Sequence, residues 1–295
     1  MKNTLLLLLA LAVFACDPGR GSADIGDAQA SGDTPFQMDD AGEAPDDIDD
    51  LTRADNYPNP AEILNDVRIT PIFHAGAVLQ YAGQTIFVDP YDGAERYAAF
   101  GAPDLVLITH SHPDHMDLKT LGGMTLGLAK LVAPAAVADK VSNDMFREEL
   151  VMANGDTIDH LGMKIYAVPA YNPPGNGKIF HPKGQFNGYV LEIDNERIYF
   201  AGDTGNIPDI AELPKINYAF VPINQPYTMT VDQAVDFVDS FDPIAVYPYH
   251  YRNGDGTFTD REEFKVKMTD RNRGVQVRNV EWYGERNKEK DEAMR

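Results

Sequence analysis

Cysteine is almost missing from this chain of 295 residues: there is one, Cys16, so no intrachain disulfide can hold the fold. Cationic side chains are scarce as well, 25 Lys and Arg against 46 Asp and Glu, for a formal net charge of −21. Proteins that grip nucleic acid neutralise phosphates with Lys and Arg, so this balance argues against a nuclease and against nucleic acid as a partner. The apolar run at the start, Leu5 to Ala15, is eleven residues long. That is too short to cross a hydrocarbon layer about 30 Å thick. Histidine is sparse too, yet three of the seven fall between positions 110 and 115.

The lone cysteine has a telling context. Met1-Lys2-Asn3 is a short cationic start, and the apolar run after it reads as a signal-peptide core. Val13-Phe14-Ala15-Cys16 then resembles a bacterial lipobox, in which the cysteine is lipidated and becomes the mature N-terminus. Residues 1–16 are therefore expected to be a signal peptide with a lipobox. The expected location is the cell envelope, exported and lipid-anchored on the periplasmic side of a bacterial membrane. Residues 17–60 carry twelve Asp and Glu against two Arg, with almost no large apolar side chains. Such a segment buries too little surface to offset its ordering entropy and reads as a disordered acidic tether. That stretch holds −10 of the charge, and residues 61–295 still hold −12. The part expected to fold, residues 61–285, is itself acidic, and residues 286–295 read as a frayed charged tail.

From Val67 the pattern changes. Val67–Phe73, Ala77–Tyr81 and Thr85–Val88 are short β-rich runs, the last two joined by a tight Ala82-Gly83-Gln84 connection. Asp104–Ile108 reads as a buried strand, Asp117–Leu121 as a short helix stopped by Gly122-Gly123, and Lys130–Ala133 as a strand. A helix is expected over 135–145, then strands over 158–168, 189–193, 197–201, 218–223 and 244–249. Val231, Ala234, Val235 and Val238 keep helical spacing behind a Thr230 cap, and another helix is expected over 259–268. Strands followed by β/α alternation, in two halves, fit a two-layer β core with helices outside.

The stretch that carries chemistry is Thr109-His110-Ser111-His112-Pro113-Asp114-His115. Pro113 makes a continuing strand or a helix unlikely there, so three imidazoles and a carboxylate arrive on a loop at a strand's end. Imidazole nitrogen and carboxylate oxygen are what zinc and its first-row neighbours bind, and concentrated histidine serves mainly metal binding and proton transfer. The pattern points to a metal site.

His110-x-His112-x-Asp114-His115 after a hydrophobic strand resembles the signature of the metallo-β-lactamase superfamily. Further matches follow in family order over roughly residues 66–283: Phe87-Val88-Asp89-Pro90-Tyr91, Phe200-Ala201-Gly202-Asp203-Thr204-Gly205 and Tyr247-Pro248-Tyr249-His250. His74-Ala75-Gly76, Val168-Pro169-Ala170-Tyr171-Asn172, His181-Pro182-Lys183-Gly184 and Tyr227-Thr228-Met229-Thr230 look most like the "metal-dependent hydrolase" branch. That branch includes ascorbate-phosphate lactonase-like proteins and, more distantly, N-acyl phosphatidylethanolamine phospholipase D. The resemblance implies an α/β fold of four layers, αβ/βα, with two mixed sheets between outer helices.

It also implies the site. His110 and His112 would bind a first divalent metal, Asp114 and His115 a second; Asp203 would bridge them and His250 would complete the second site. The family usually has a histidine after the strand ending near Pro169-Ala170, where this chain has Tyr171-Asn172. Either His181 folds back onto the first metal, or Asn172 lends a weak oxygen ligand, or that site is incomplete. His181 is the favoured ligand. An incomplete site would mean a single metal, or a harder one than zinc, such as manganese or iron. Asp89 is expected to orient a ligand imidazole from behind, and His74 to hydrogen-bond near the site. Gly175-Asn176-Gly177 and nearby prolines suggest a loop over the site mouth.

The implied activity is hydrolysis of a lactone, ester, amide or phosphodiester by metal-bound hydroxide, because coordination lowers the pKa of water to about 7. Asp114 would orient the nucleophile and take the proton as the intermediate collapses. Tyr227 would either reach the leaving group or oxyanion, or simply pack its loop. The substrate would be a small or lipid-like molecule, and β-lactam hydrolysis is not implied by the family name. The competing reading is a non-catalytic lipoprotein that keeps the fold to bind metal or ligand. A di-iron oxidoreductase would need a flavin domain for which this length has no room.

Overall fold

The computed structural model describes residues 61–142, 144–173, 178–213, 215–271 and 273–284. The lipobox, the acidic tether, the mouth loop Gly175-Asn176-Gly177 and the charged tail lie outside these residues. Among the described residues no helix is long and apolar enough to cross a membrane.

Among the described residues fourteen strands form two mixed sheets of seven. In the first, β1 (Glu62–Leu64), β2 (Val67–Phe73), β3 (Gly76–Tyr81) and β4 (Gln84–Val88) run antiparallel. Then β5 (Leu105–Leu107), β6 (Lys130–Ala133) and β7 (Glu148–Val151) continue parallel to β4. The second sheet repeats the plan. Strands β8 (Thr157–His160), β9 (Met163–Ala170), β10 (Phe186–Ile193) and β11 (Glu196–Phe200) are antiparallel. Strands β12 (Tyr218–Pro222), β13 (Ala245–Tyr249) and β14 (Gln276–Val277) follow in parallel. With helices α1 (Leu118–Gly122), α2 (Ala135–Ala138), α3 (Val231–Asp239) and α4 (Arg261–Asp270) flanking the sheets, this is the expected αβ/βα sandwich.

Local sequence explains the elements. Strand β5 is Leu-Val-Leu, buried throughout, as a parallel strand covered on both faces must be. The β3–β4 and β10–β11 turns place Ala82-Gly83 and Asp194-Asn195 at positive φ, the two-residue geometry that suits the twist of paired strands. Helix α3 opens with a full capping box between Thr230 and Gln233 and buries Val231, Ala234, Val235, Phe237 and Val238. Helix α4 is capped by Asp260, buries Phe264 and Met268, and is tied to α3 by Lys267 Nζ, 2.7 Å from Asp232 Oδ1.

Two expectations were too simple. The helix expected over 135–145 stops at Ala138; the chain then makes i+3 turns at Lys140 and Val141, and the Ser142 hydroxyl hydrogen-bonds Asp144. Ser and Asp side chains compete in this way with helical backbone bonds. The run 158–168 is a hairpin, β8 and β9, turning at Leu161-Gly162 with φ 54° and 73°. The short strands β1, β7 and β14 sit at sheet edges, where little burial imposes a pattern on sequence.

What matters for function is where the strands end. Strands β2, β4, β5, β9, β11 and β13 all deliver their C-terminal ends to one seam between the sheets. There the His250 N–H donates to the His74 carbonyl at 3.3 Å, and the Asn187 N–H to the Thr109 carbonyl at 3.1 Å.

Candidate metal centre

At that seam the backbone is bent on purpose. His74 after β2, Asp89 after β4 and His250 after β13 hold φ of 61°, 42° and 46°, left-handed values that non-glycine residues rarely adopt. Each costs on the order of 1–3 kcal/mol, and such residues gather at functional sites. Gly202, at φ 62°, makes the corresponding bend after β11 and turns Asp203 inward; its N–H is held by the Tyr249 hydroxyl at 2.9 Å.

The loop after β5 is fixed by Asp89. One Asp89 oxygen accepts from the Thr109 N–H at 2.7 Å; the other accepts from the Thr109 hydroxyl at 2.7 Å and from His115 Nδ1 at 2.8 Å. Around Pro113 the chain turns so that the His115 and Met116 N–H groups donate to the His112 carbonyl at 3.0 and 2.8 Å. His110 Nδ1 lies 3.0 Å from the Thr109 hydroxyl, which leaves its Nε2 facing the seam. His181, on the segment described from residue 178, is held by Asn172, whose side-chain oxygen accepts from its N–H at 3.0 Å and from its Nδ1 at 2.9 Å. These hydrogen bonds put the ring proton on Nδ1 of His110, His115 and His181, and so leave each Nε2 with a lone pair.

Three groups result whose ligand atoms lie within 4.8 Å of one another: His110, His112 and His181; His74, Asp114, His115 and His250; and His110, His115 and Asp203. Asp203 lies between the first two. Its Oδ1 is 3.4 Å from Nε2 of both His115 and His250, and its Oδ2 is 3.3 Å from His181 Nε2 and 3.9 Å from His110 Nε2. Two ligands about 2.0–2.1 Å from one tetrahedral ion lie about 3.3 Å apart, so these are spacings of groups that share an ion.

The orphaned atoms say the same. Nε2 of His110, His115, His181 and His250, with Oδ1 of Asp203, are buried and lack a hydrogen-bond partner. A buried polar group left unpaired costs about 1–3 kcal/mol, a penalty that a bound cation removes. The charge balance also asks for a cation. Burial opposes ionisation of Asp203 and Asp114, yet neighbouring imidazoles, His250 and His115 for Asp203, His115 and then His250 and His74 for Asp114, hold both carboxyls well below the usual carboxylate range. Burial likewise opposes a charged His115, but Asp203, Asp89 and Asp114 outweigh it and push that imidazole up. Burial keeps His110 neutral, which is the ligating form. The residues present fit divalent ions.

All seven residues singled out as ligands, His110, His112, Asp114, His115, His181, Asp203 and His250, thus meet at one place. Asn172 spends its side-chain oxygen on His181 and its amide on the Tyr227 carbonyl, at 2.9 Å, so it stands behind a histidine instead of replacing one. Tyr227 is not drawn into the cluster by its own contacts: its ring packs edge-on against Phe180 at 4.8 Å, and its hydroxyl lies against Gly254. His160 is remote, at the end of β8. His74 is more closely involved than expected, with Nε2 3.0 Å from Asp114 Oδ2 and Nδ1 2.8 Å from the Tyr283 hydroxyl. The roles of Thr109, Tyr249 and Tyr283 escaped the sequence reading, although Thr109 lies inside the histidine loop and Tyr249 inside the motif that ends at His250.

A sandwich of two mixed sheets with a carboxylate set between two imidazole groups at the strand ends is the frame of a metal-dependent enzyme. The chain belongs to the β-lactamase superfamily: the model of its domain matches residues 68–250. It is 31% identical over 218 residues to a UPF0173 metal-dependent hydrolase of Pyrococcus horikoshii, covering 70% of this chain and 93% of that one. It is 33% identical over 211 residues to another from Nanoarchaeum equitans, with the same two coverages, 70% and 93%. A crystal structure described as that of a metal-dependent hydrolase from Parabacteroides distasonis superposes with a TM-score of 0.66 at 38% identity, over 75% of this chain and 97% of that one. Igni18, a metallo hydrolase from Ignicoccus hospitalis, gives 0.62 at 26% identity, over 74% and 96%.

Proposed function

We propose that this protein is a hydrolase with two divalent ions, zinc before manganese or iron, that cleaves a lactone, ester, amide or phosphodiester in a small or lipid-like molecule. His110, His112 and His181 would hold one ion, Asp114, His115 and His250 the other, and Asp203 would touch both. The observation that carries the reading is the division of Asp203, whose two oxygens face different imidazole groups. Bound there, the ions supply Lewis acidity toward the scissile carbonyl or phosphoryl oxygen and make water a nucleophile near neutral pH.

The chain's own residues do the rest. Asp89 and Asn172 orient His115 and His181 and fix their tautomers. Asp114 is the one carboxylate of the cluster with substantial access, its side chain 37% exposed against 4% for Asp203. With Oδ2 turned to the imidazoles, its Oδ1 is free to accept a hydrogen bond from the attacking water and to align it. Tyr227 packs the loop beside the site. A purely structural relic of the fold would have no use for a ligand set this complete.

The test is metal content per chain after purification without chelator, beside turnover on lactone, ester and phosphodiester substrates. About two ions with metal-dependent turnover is the expected result; no metal and no turnover would refute it. We further propose export and lipid anchoring through Cys16, on the lipobox resemblance alone. Cys16→Ser should then release the protein from membranes, and continued retention would remove the anchor.

A further inference from the structure

His74 stands beside the cluster but differs from its histidines. The four imidazoles around Asp203 each leave Nε2 without a partner, whereas both nitrogens of His74 are hydrogen-bonded, Nδ1 to the Tyr283 hydroxyl at 2.8 Å and Nε2 to Asp114 Oδ2 at 3.0 Å. Asp203 pairs within 4.0 Å with His110, His115, His181 and His250, and His74 is not among them. A lone pair on His74 Nε2 would face the Asp114 carboxylate oxygen, lone pair to lone pair; a proton there makes the contact attractive. With that proton on Nε2, Nδ1 carries the lone pair, and the Tyr283 hydroxyl 2.8 Å away can donate to it.

We infer that Tyr283 and His74 are positioning residues for Asp114: the phenol donates to Nδ1, holds the imidazole proton on Nε2, and that N–H donates to Asp114 Oδ2. The proposal rests on the reading of Asp114 as a metal-site carboxylate. It explains why the last described segment returns to the seam. Tyr283 is fully buried, wedged edge-on against Phe73, Tyr251 and Phe258 at 4.9–5.3 Å, and its N–H is tied to Glu281 at 3.0 Å. It also explains the left-handed backbone of His74, which aims the ring past the end of β2, tilted over His250 at 3.7 Å. Asp114 needs such a support because its side chain, part-exposed on a loop, is not locked by packing.

The experiment uses the full-length zinc-loaded protein and reads two properties besides activity. Nitrogen-15 histidine NMR, with His74 identified by its loss in His74→Leu, should show the Nε2–H tautomer in the wild type and a mixture in Tyr283→Phe. Zinc affinity by chelator competition should fall about tenfold for the weaker ion in Tyr283→Phe and in His74→Leu, the usual scale for a support behind a ligand. His74→Gln, whose amide still donates to Asp114, should restore it. An Nδ1–H tautomer in the wild type, a metal-shifted Nε2, or Gln binding zinc no better than Leu would overturn the proposal. Should Tyr283→Phe fail to fold, the wild-type tautomer and the Gln–Leu pair decide alone. Asp114→Asn with wild-type zinc affinity would instead refute the reading of Asp114, whatever the tautomer of His74.

Discussion

Asn172 grips His181 at three points: its side-chain oxygen accepts from both the backbone N–H and ring Nδ1, and its own N–H donates to the His181 carbonyl at 2.9 Å. At the position where the resemblance led us to expect a histidine, Asn172 instead holds His181, nine positions later, in place. His181→Ala should cut bound metal to about half, since one ion loses its third imidazole. Asn172→Ala should weaken that ion about 10–100-fold and leave the stoichiometry intact at saturating metal. Unchanged affinity in Asn172→Ala, read by chelator titration, would sever the link.

Asp203→Ala removes the carboxylate that, among the described residues, faces both imidazole sets, and leaves their Nε2 atoms without a shared anion. Metal content measured by plasma mass spectrometry should drop to one ion or none. A fully loaded variant would show that the two sets bind independently of this carboxylate.

Gly202 and Gly83 separate backbone strain from crowding. Both have positive φ, 62° and 76°, but a Cβ on Gly202 would lie 3.0 Å from Thr109 Cβ and 3.1 Å from the Asn187 carbonyl, while one on Gly83 would meet nothing. Gly83→Ala should cost about 1–2 kcal/mol of unfolding free energy from the left-handed conformation alone. Gly202→Ala should cost roughly 1–3 kcal/mol more as the clash is relieved, and should also displace Asp203 and lower metal affinity. Denaturant melts of the two variants side by side would expose any equality.

Removing the metal should destabilise the whole domain. A ligand present at a thousand times its Kd adds about 4 kcal/mol to the folded state. For a domain of this size each kcal/mol is worth about 2–4 °C. Chelation should therefore lower Tm by roughly 10 °C, reversibly on adding back zinc. A Tm indifferent to chelator would mean that the imidazoles hold nothing.

The histidine loop was legible because residue types that are rare in this chain are concentrated in six positions after a strand. Asp203 and His250 were legible only through the motifs around them, since a lone Asp or His after a strand has many commoner uses. The hairpin at Leu161-Gly162 was not, because Leu161, Met163, Ile165 and Ala167 keep the two-residue period of a strand straight through the turn. Nor could Tyr283 be found: its partner His74 lies 209 residues away, and no local pattern marks a hydroxyl that matters at such a distance. Contacts that depend on how two sheets close on each other leave no period in the chain.

The two sheets each own part of the metal centre: His110, His112, Asp114 and His115 follow β5, while His181, Asp203 and His250 come after β7 is complete. A ribosome delivers the first set long before the second, and the early piece has three imidazoles and Asp114 but neither Asp203 nor His250. Full coordination becomes possible only once β13 is in place and its end has met the end of β2. An ion held by both halves would therefore report a finished chain, and metal content would separate completed molecules from truncated ones.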